Sequence, residues 1–239
     1  MPERRDTAII LVAGGRGLRF GSPAGKQLAA VGGSPVLGHT LRACLDVARA
    51  GLVVVVCDED RVDEYSAALV GVGGDAEVRL VAGGERRQDS VAAGLAEVPR
   101  GAYDFIAVHD GARPLVTAQT FDSSLELLDG HPELAGVVVG HPSYDTLKIV
   151  EREIIVDTPD RARFWVAQTP QVFREAPLFL AYSEAARTGF TGTDDASFVQ
   201  ASGAPVAVLE GPRDNIKVTV AADLPLVEAV LAARRSDVR

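Results

Sequence analysis

The stretch from Ala8 to Gln27, AIILVAGGRGLRFGSPAGKQ, constrains this chain more than any other. Ala8 to Val12 form an unbroken apolar run, short enough for a buried strand and too short for a helix that packs by one face. The run breaks into a loop carrying Gly14, Gly15, Gly17 and Gly21, with Arg19 inside it and Lys26 just beyond. Glycine lets backbone N–H groups approach an anion closely and adopt positive φ. The pattern implies a strand that delivers a phosphate cradle, with Arg19 and Lys26 supplying charge where a phosphoryl group reacts.

Two familiar glycine loops are excluded by register. A dinucleotide fingerprint needs G-x-G-x-x-G, but Gly15 and Gly17 are followed by Phe20 at the third position. A Walker A loop needs G-x-x-x-x-G-K-[ST], and the frame set by Gly25-Lys26 begins on Phe20 and ends on Gln27.

Further short apolar runs suit buried strands: Leu52–Cys57, Val78–Val81, Phe105–Val108, Gly136–Val139 and Val206–Leu209. Between them lie segments with helical spacing. Ser34 is placed to cap a helix with Pro35 in its first position, and Val36, Leu37, Leu41, Cys44 and Leu45 share one face. Val62–Val70, Ser90–Ala96, Phe121–Leu128, Leu178–Ala186 and Leu224–Ala233 continue the alternation. Strands alternating with helices predict an α/β fold, Rossmann-like, with a mainly parallel sheet covered on both faces. Ligands then bind beyond the carboxyl ends of the strands. The alternation breaks at 144–157, where Thr146–Val150 and Ile154–Val156 flank Glu151-Arg152-Glu153. This predicts a protruding β-hairpin arm whose Leu147, Ile149, Ile154 and Ile155 are best buried against a second subunit. We read residues 1–239 as a single domain, since no repeat, low-complexity tract or linker interrupts them.

Composition narrows the partners. The net charge of −9 argues against a non-specific nucleic-acid or membrane-surface binder, so positive charge for an anionic substrate must be gathered locally. Cys44 and Cys57 are the only cysteines and sit in apolar segments, as reduced core residues of a cytoplasmic protein would. No apolar run approaches the ~20 residues of a membrane span. Met1 to Asp6 are charged and lack the apolar core of a signal peptide.

Other clusters recur after strands. In Gly83-Gly84-Glu85-Arg86-Arg87-Gln88-Asp89-Ser90, Arg87 and Ser90 can meet a phosphate or a base edge, while Asp89 or Ser90 can instead cap a helix. In His109-Asp110-Gly111-Ala112-Arg113-Pro114, Asp110 is placed to bind Mg²⁺, directly or through water, or else to pair with Arg113 or cap a turn. His109 reads as a hydrogen-bonding residue. Thr193 or Asp194 starts a helix over Ala196–Gln200 and can cap it or hold an anion. Lys217, between Ile216 and Val218, either snorkels at an edge or points at a phosphate. No Ser/His/Asp or Cys/His arrangement suggests a covalent nucleophile.

Taken in order, these motifs resemble the 2-C-methyl-D-erythritol 4-phosphate cytidylyltransferases, nucleotidyltransferases of the non-mevalonate isoprenoid pathway. The likeness runs from Ile9 to about Ala229. It rests on Ala13–Gly21, the spacing of Arg19 and Lys26, Gly83–Ser90, His109–Pro114, Asp145–Lys148, Gln168–Gln171, Thr193–Ser197 and Asn215–Thr219. The resemblance implies that Arg19 and Lys26 stabilise the pentacoordinate α-phosphate, with Arg161 and Lys217 beside them in the catalytic set. It implies that Ala13, Gly14, Gly15, Gly83, Gly84, Arg87, Ser90, Asp110 and Gly111 bind CTP, with Asp110 placing Mg²⁺ or another divalent cation. The sugar-alcohol phosphate would be held by Arg113, Asp145, Thr146, Arg161, Thr193 and Lys217, Thr146 and Arg161 reaching across a homodimer. A cytidylyltransferase for ribitol 5-phosphate would share the nucleotide motifs and differ in the acceptor pocket. One departure stands out: the family usually has proline before the catalytic lysine, and here the residue is Gly25, with Pro23 two places earlier.

Overall fold

A computed structural model describes residues 5–15, 20–21 and 25–236. Eleven strands and seven helices are formed among them. In chain order they run β1 (Thr7–Val12), β2 (Ala30–Val31), β3 (Ser34–Pro35), α1 (Val36–Leu45), β4 (Ala50–Cys57), α2 (Val62–Ala68), β5 (Glu77–Ala82) and α3 (Arg87–Ala96). Then come β6 (Phe105–Asp110), α4 (Ala118–Gly130), β7 (Gly136–Pro142), β8 (Ile149–Glu151), β9 (Ile154–Asp157) and β10 (Trp165–Arg174). The chain closes with α5 (Glu175–Thr188), α6 (Asp195–Ala201), β11 (Val206–Glu210) and α7 (Leu224–Ser236).

One seven-stranded sheet carries the fold, in the order β11-β7-β10-β6-β1-β4-β5. All neighbours pair in parallel except β10, which is antiparallel to both β6 and β7. The expectation of a mainly parallel sheet holds. The chain winds from β1 outward through β4 to β5, then returns to add β6 on the other side of β1. Strand order therefore reverses at β1, which opens a crevice beyond the carboxyl ends of β1 and β6.

Period-two alternation sorts β1 between two cores. Ile9 and Leu11 face a cluster with Leu37 and Leu41 of α1, Tyr65 of α2 and Phe121 and Leu125 of α4. Ala8, Ile10 and Val12 face the other side, with Val91 and Leu95 of α3, Leu178 and Ala181 of α5 and Phe198 of α6. A third cluster joins Val31, Val36, Leu115, Val218 and Val227 and seats α7 over the end of the sheet. Cys44 and Cys57 are free and buried in the first of these cores, as the sequence suggested.

Two local expectations are corrected. Ser34 does not cap α1, because it is in β3, paired with Val31, and Pro35 takes the N-cap place without a side-chain bond. The amides of Val36 and Leu37 are met instead by the carbonyls of Ala29 and Gln27, at 2.9 Å each. The start of α1 thus holds the segment that follows Lys26. The arm forms, but its strands are shorter on one side and longer on the other than expected, and Arg152 and Glu153 make a two-residue turn with positive φ. Strand β10 was not anticipated. Its middle, Gln168-Thr169-Pro170-Gln171, is polar and contains proline, a pattern that argues against a central strand. The sheet accommodates it by a register shift between Ala167 and Gln171.

Helix α3 packs closely on the sheet at Gly94. A methyl group there would lie 2.6 Å from Ile10 Cγ2 and 3.0 Å from Val56 Cγ2. In an open helix Gly→Ala gains about 1 kcal/mol. Here Gly94→Ala is expected to lower stability by about 1–3 kcal/mol through overpacking. Urea unfolding should show a lower midpoint at unchanged m; a raised midpoint would contradict the packing described.

Candidate active site

Each strand that ends at the crevice delivers one part of the site. Where β1 ends, the Ala13 amide donates to the Val56 carbonyl at 2.7 Å, and the buried Tyr65 hydroxyl donates to the Ala13 carbonyl at 3.0 Å. The Gly15 amide donates to Asp58 Oδ1 at 2.6 Å. Asp58 follows β4, so the glycine loop is anchored by its neighbour strand. Arg19 lies outside the described residues. Lys26 is described and half-buried, one residue after Gly25. Gly25 has φ +69°, a value proline cannot take because its ring holds φ near −65°. The missing proline thus corresponds to a different backbone path into Lys26.

The second glycine turn follows β5. The Gly83 amide donates to the Cys57 carbonyl at 2.7 Å, and a side chain at Gly83 would collide with Ser90 Oγ at 2.7 Å. Ser90 is buried, and its hydroxyl accepts from the Gly84 amide at 3.2 Å. Asp89 caps α3 by accepting from the Arg86 amide at 3.2 Å. Of the alternatives open in the sequence, helix capping therefore falls to Asp89 and bracing of the glycine turn to Ser90.

Asp110 is the centre of charge. It ends β6, is buried, and receives cations from three other places in the chain. Lys217 Nζ lies 2.8 Å from Oδ2, Arg87 Nε 3.5 Å from Oδ1, and Arg113 Nε 3.6 Å from Oδ2. Burial opposes the charge on Asp110, but Lys217, Arg87 and Arg113 overcome it and hold the carboxyl well below the usual carboxylate range. The pairing of Asp110 with Arg113 weighed from the sequence is thus one of three. Arg113 is itself buried and donates through Nη1 to the Asn215 carbonyl at 2.7 Å, so it braces the segment that carries Lys217. Asn215 is buried as well, and its amide donates to Gln168 Oε1 and to the Thr169 carbonyl. Thr169 Oγ1 in turn accepts from the Asp110 amide at 3.0 Å.

Behind Arg87 lies a network that sequence reasoning did not assign. Arg87 Nη2 donates to the fully buried Asp195 at 2.7 Å, and the Tyr182 hydroxyl donates to the other Asp195 oxygen at 2.6 Å. Asp194, next door, is the N-cap of α6 and accepts from the Ser197 amide, while its second oxygen accepts from Gln171 Nε2. The paired carboxylates in Thr193-Asp194-Asp195 were a visible signal; their separate duties were not. Thr193 is exposed, just ahead of this cap.

The described site residues other than Lys26 and Thr193 fall into two groups. Ala13, Gly14, Gly15, Gly83, Gly84, Arg87, Ser90, Asp110, Gly111, Arg113 and Lys217 are linked by the bonds above or lie on the same strand ends; the Gly111 amide, for instance, donates to the Val12 carbonyl at 2.8 Å. Asp145, Thr146 and Arg161 stand apart at the root of the arm, where Arg161 Nη1 donates to the Tyr144 carbonyl at 2.6 Å.

Two glycine turns after parallel strands, three cations gathered on one buried carboxylate and a topological switch point at β1 fit a nucleotidyltransferase. Comparison with known proteins narrows the class. The 2-C-methyl-D-erythritol 4-phosphate cytidylyltransferase profile matches residues 7–233. The protein of that name from Streptomyces avermitilis is 41% identical over 244 residues, spanning 98% of this chain and 95% of its own length. Among solved structures, 2-C-methyl-D-erythritol 4-phosphate cytidylyltransferase from Thermus thermophilus superposes with a TM-score of 0.75 at 32% identity, covering 93% of this chain and 98% of that one. The 4-diphosphocytidyl-2C-methyl-D-erythritol synthase of Anaerococcus prevotii gives a TM-score of 0.81 at 27% identity, covering 95% and 96%. This chain belongs to the 2-C-methyl-D-erythritol 4-phosphate cytidylyltransferase family.

His109, beside Asp110, is fully buried against Phe121, and no hydrogen bond reaches either ring nitrogen among the described residues. Burial pushes its imidazole down to about 3, against the pull of Asp110 and with the help of Arg113 and Lys217. The folded state therefore holds His109 neutral, while the unfolded chain protonates it below about pH 6.5. Stability is present above that value and drains away as pH falls toward the folded value. From about pH 7.5 to about pH 5 the loss should be about 2 kcal/mol from this residue alone. His109→Gln is expected to remove that part of the slope in urea unfolding; an identical slope in the variant would refute the assignment.

Proposed function

We propose that this chain transfers the cytidylyl group from CTP to 2-C-methyl-D-erythritol 4-phosphate, giving the CDP-linked product and pyrophosphate. The observation that carries the proposal is the convergence on Asp110. Lys217, Arg87 and Arg113 meet there from three segments, at the mouth of the glycine loop, in a chain whose family match spans residues 7–233.

A phosphate oxygen of the acceptor attacks the α-phosphorus in line. A new P–O bond forms, the bond to the bridging oxygen breaks, and pyrophosphate leaves with the electron pair. The nucleophile is already anionic near neutral pH, so no general base is needed, and the protein contributes placement and charge. Ala13, Gly14, Gly15, Gly83, Gly84 and Gly111 line the nucleotide, whose close approach their small side chains allow, with Arg87 and Ser90 holding the second turn. Arg19 and Lys26 stabilise the charge that grows on the α-phosphate. Lys217 and Arg161 face the acceptor, Arg113 acts through the Asn215–Lys217 segment, and Asp145, Thr146 and Thr193 complete the acceptor side.

A divalent cation, Mg²⁺ or another, fits this site as a companion of the nucleotide. Asp110 offers one carboxylate, and no group of three or more His, Cys, Asp or Glu side chains among the described residues could hold an ion alone. Mg²⁺ commonly binds through one or two carboxylates plus substrate phosphates, so Asp110 would hold it together with triphosphate oxygens. When bound, the ion neutralises phosphate charge.

The arm supports a homodimer. Ile149, Val150, Ile154, Ile155 and Val156 are about half exposed or more, and Phe164, Trp165 and Val166 extend the apolar surface along the start of β10. A second copy covering this surface would bring Thr146 and Arg161 to its partner's crevice. Residence in the cytoplasm is proposed on the two free buried thiols. No helix among the described residues is long and apolar enough to cross a membrane.

Pyrophosphate release with CTP, Mg²⁺ and each candidate acceptor is the direct test. Methylerythritol phosphate should support turnover and ribitol 5-phosphate should not; the reverse would overturn the acceptor assignment. Lys26→Ala should lower kcat by about 10²-fold or more, on the order of 3 kcal/mol, and near-normal kcat would remove Lys26 from the mechanism. In sedimentation the protein should run as a dimer, and Ile154→Asp combined with Ile155→Asp should give monomers. A monomeric native protein at micromolar concentration would dismiss the arm interface.

A further inference from the structure

Tyr144, the first residue of the arm's root, gathers contacts from three elements. The Arg213 guanidinium carbon stands 3.6 Å from the centre of its ring. His141, near the end of β7, stacks on the same ring at 5.9 Å and 20°. Arg161 donates to the Tyr144 carbonyl at 2.6 Å. The neighbouring Ser143 amide donates to the Phe164 carbonyl at 2.9 Å, which ties the root to β10.

Arg213 also stands at the head of the segment that ends in Lys217. Just before it, the Gly211 amide donates to the Gly140 carbonyl at 2.8 Å, so this segment leaves β11 directly beside β7. Just after it, Asp214 pairs with Arg234 of α7 at 2.8 Å, and the buried Asn215 is fixed by Gln168, Thr169 and Arg113. From Asp214 to Lys217 the segment is thus held by the body of the protein. Arg213 is the residue through which the same segment grips the arm.

We propose that Arg213 is a positioning residue for the acceptor: its stack on Tyr144 sets the direction in which the arm leaves the body and so the placement of Asp145 and Thr146. It acts through Tyr144 and touches neither substrate. A guanidinium suits the role because it stacks flat on an aromatic face while its edges stay hydrated. This inference rests on the acceptor assignment above, which places Asp145 and Thr146 in substrate binding.

The test separates the two readings. Turnover of wild-type protein with methylerythritol phosphate checks the function itself. Given turnover, Arg213→Ala and Tyr144→Leu should each raise KM for the acceptor about five- to tenfold, with KM for CTP unchanged within about twofold. Tyr144→Phe keeps the ring and should match wild type, and Arg213→Lys should recover part of the loss. The Arg213→Ala, Tyr144→Leu double variant should be no worse than either single one. An unchanged acceptor KM in Arg213→Ala would overturn the proposal. So would a normal acceptor KM in Tyr144→Leu, which would mean that Arg213 meets the acceptor itself. Amide hydrogen exchange gives a readout independent of activity: residues 144–148 should exchange faster in Arg213→Ala at an unchanged Tm, and equal exchange would also overturn it.

Discussion

A buried carboxylate cannot stay charged without partners, and in this protein that constraint organises the crevice. Asp110 lies at the end of β6 with almost no contact with water. Its neutralisation draws in Lys217 from the segment after β11, Arg87 from the start of α3 and Arg113 from the turn that follows β6. Removing one partner of such a set leaves charge uncompensated in a poorly solvated place, so the segments that carry the partners are mutually dependent. Arg87 is held from behind by Asp195 and Tyr182, and Lys217 is held through Asn215 by Gln168, Thr169 and Arg113. Segments that follow β5, β6 and β11 thus meet at a single carboxylate.

The glycine loop is built on a different principle. Its beginning is fixed by backbone and side-chain bonds from β4 and α2: Val56 takes the Ala13 amide, Asp58 the Gly15 amide, and Tyr65 holds the Ala13 carbonyl. Its far end is fixed by α1, whose first amides are satisfied by Gln27 and Ala29. Between these anchors Gly25 takes a left-handed conformation that places Lys26. Both described ends of the loop are thus held by the body of the fold.

The arm departs from the logic of the rest of the chain. Every other strand of more than two residues buries at least part of its apolar surface within the fold, whereas β8 and β9 are exposed throughout. Apolar side chains arranged in this way favour association. The contacts of Tyr144 with Arg213, His141 and Arg161 show that the root of the arm is tied to the body even though its tip is not.

Much of this was legible in the sequence because it depends on local pattern. The runs from Ala8 to Val12 and from Phe105 to Val108 could be little other than buried strands, and the ordered motifs identified the family. Helical spacing also placed Leu37, Leu41 and Cys44 in the core. What only the tertiary structure decided lies where distant segments supply each other's partners. β10 has a polar, proline-bearing middle that reads as a loop until Asp110 and Asn215 are seen to bond to Thr169. Ser34 looks like a helix cap until carbonyls of Gln27 and Ala29 are found in its place. The Asp195–Arg87–Tyr182 network joins residues up to 108 positions apart. The buried strand at Thr7–Val12 follows from short-range pattern. The charge balance at Asp110 comes from folding, because a buried ion is stabilised by whichever opposite charges the topology brings within reach.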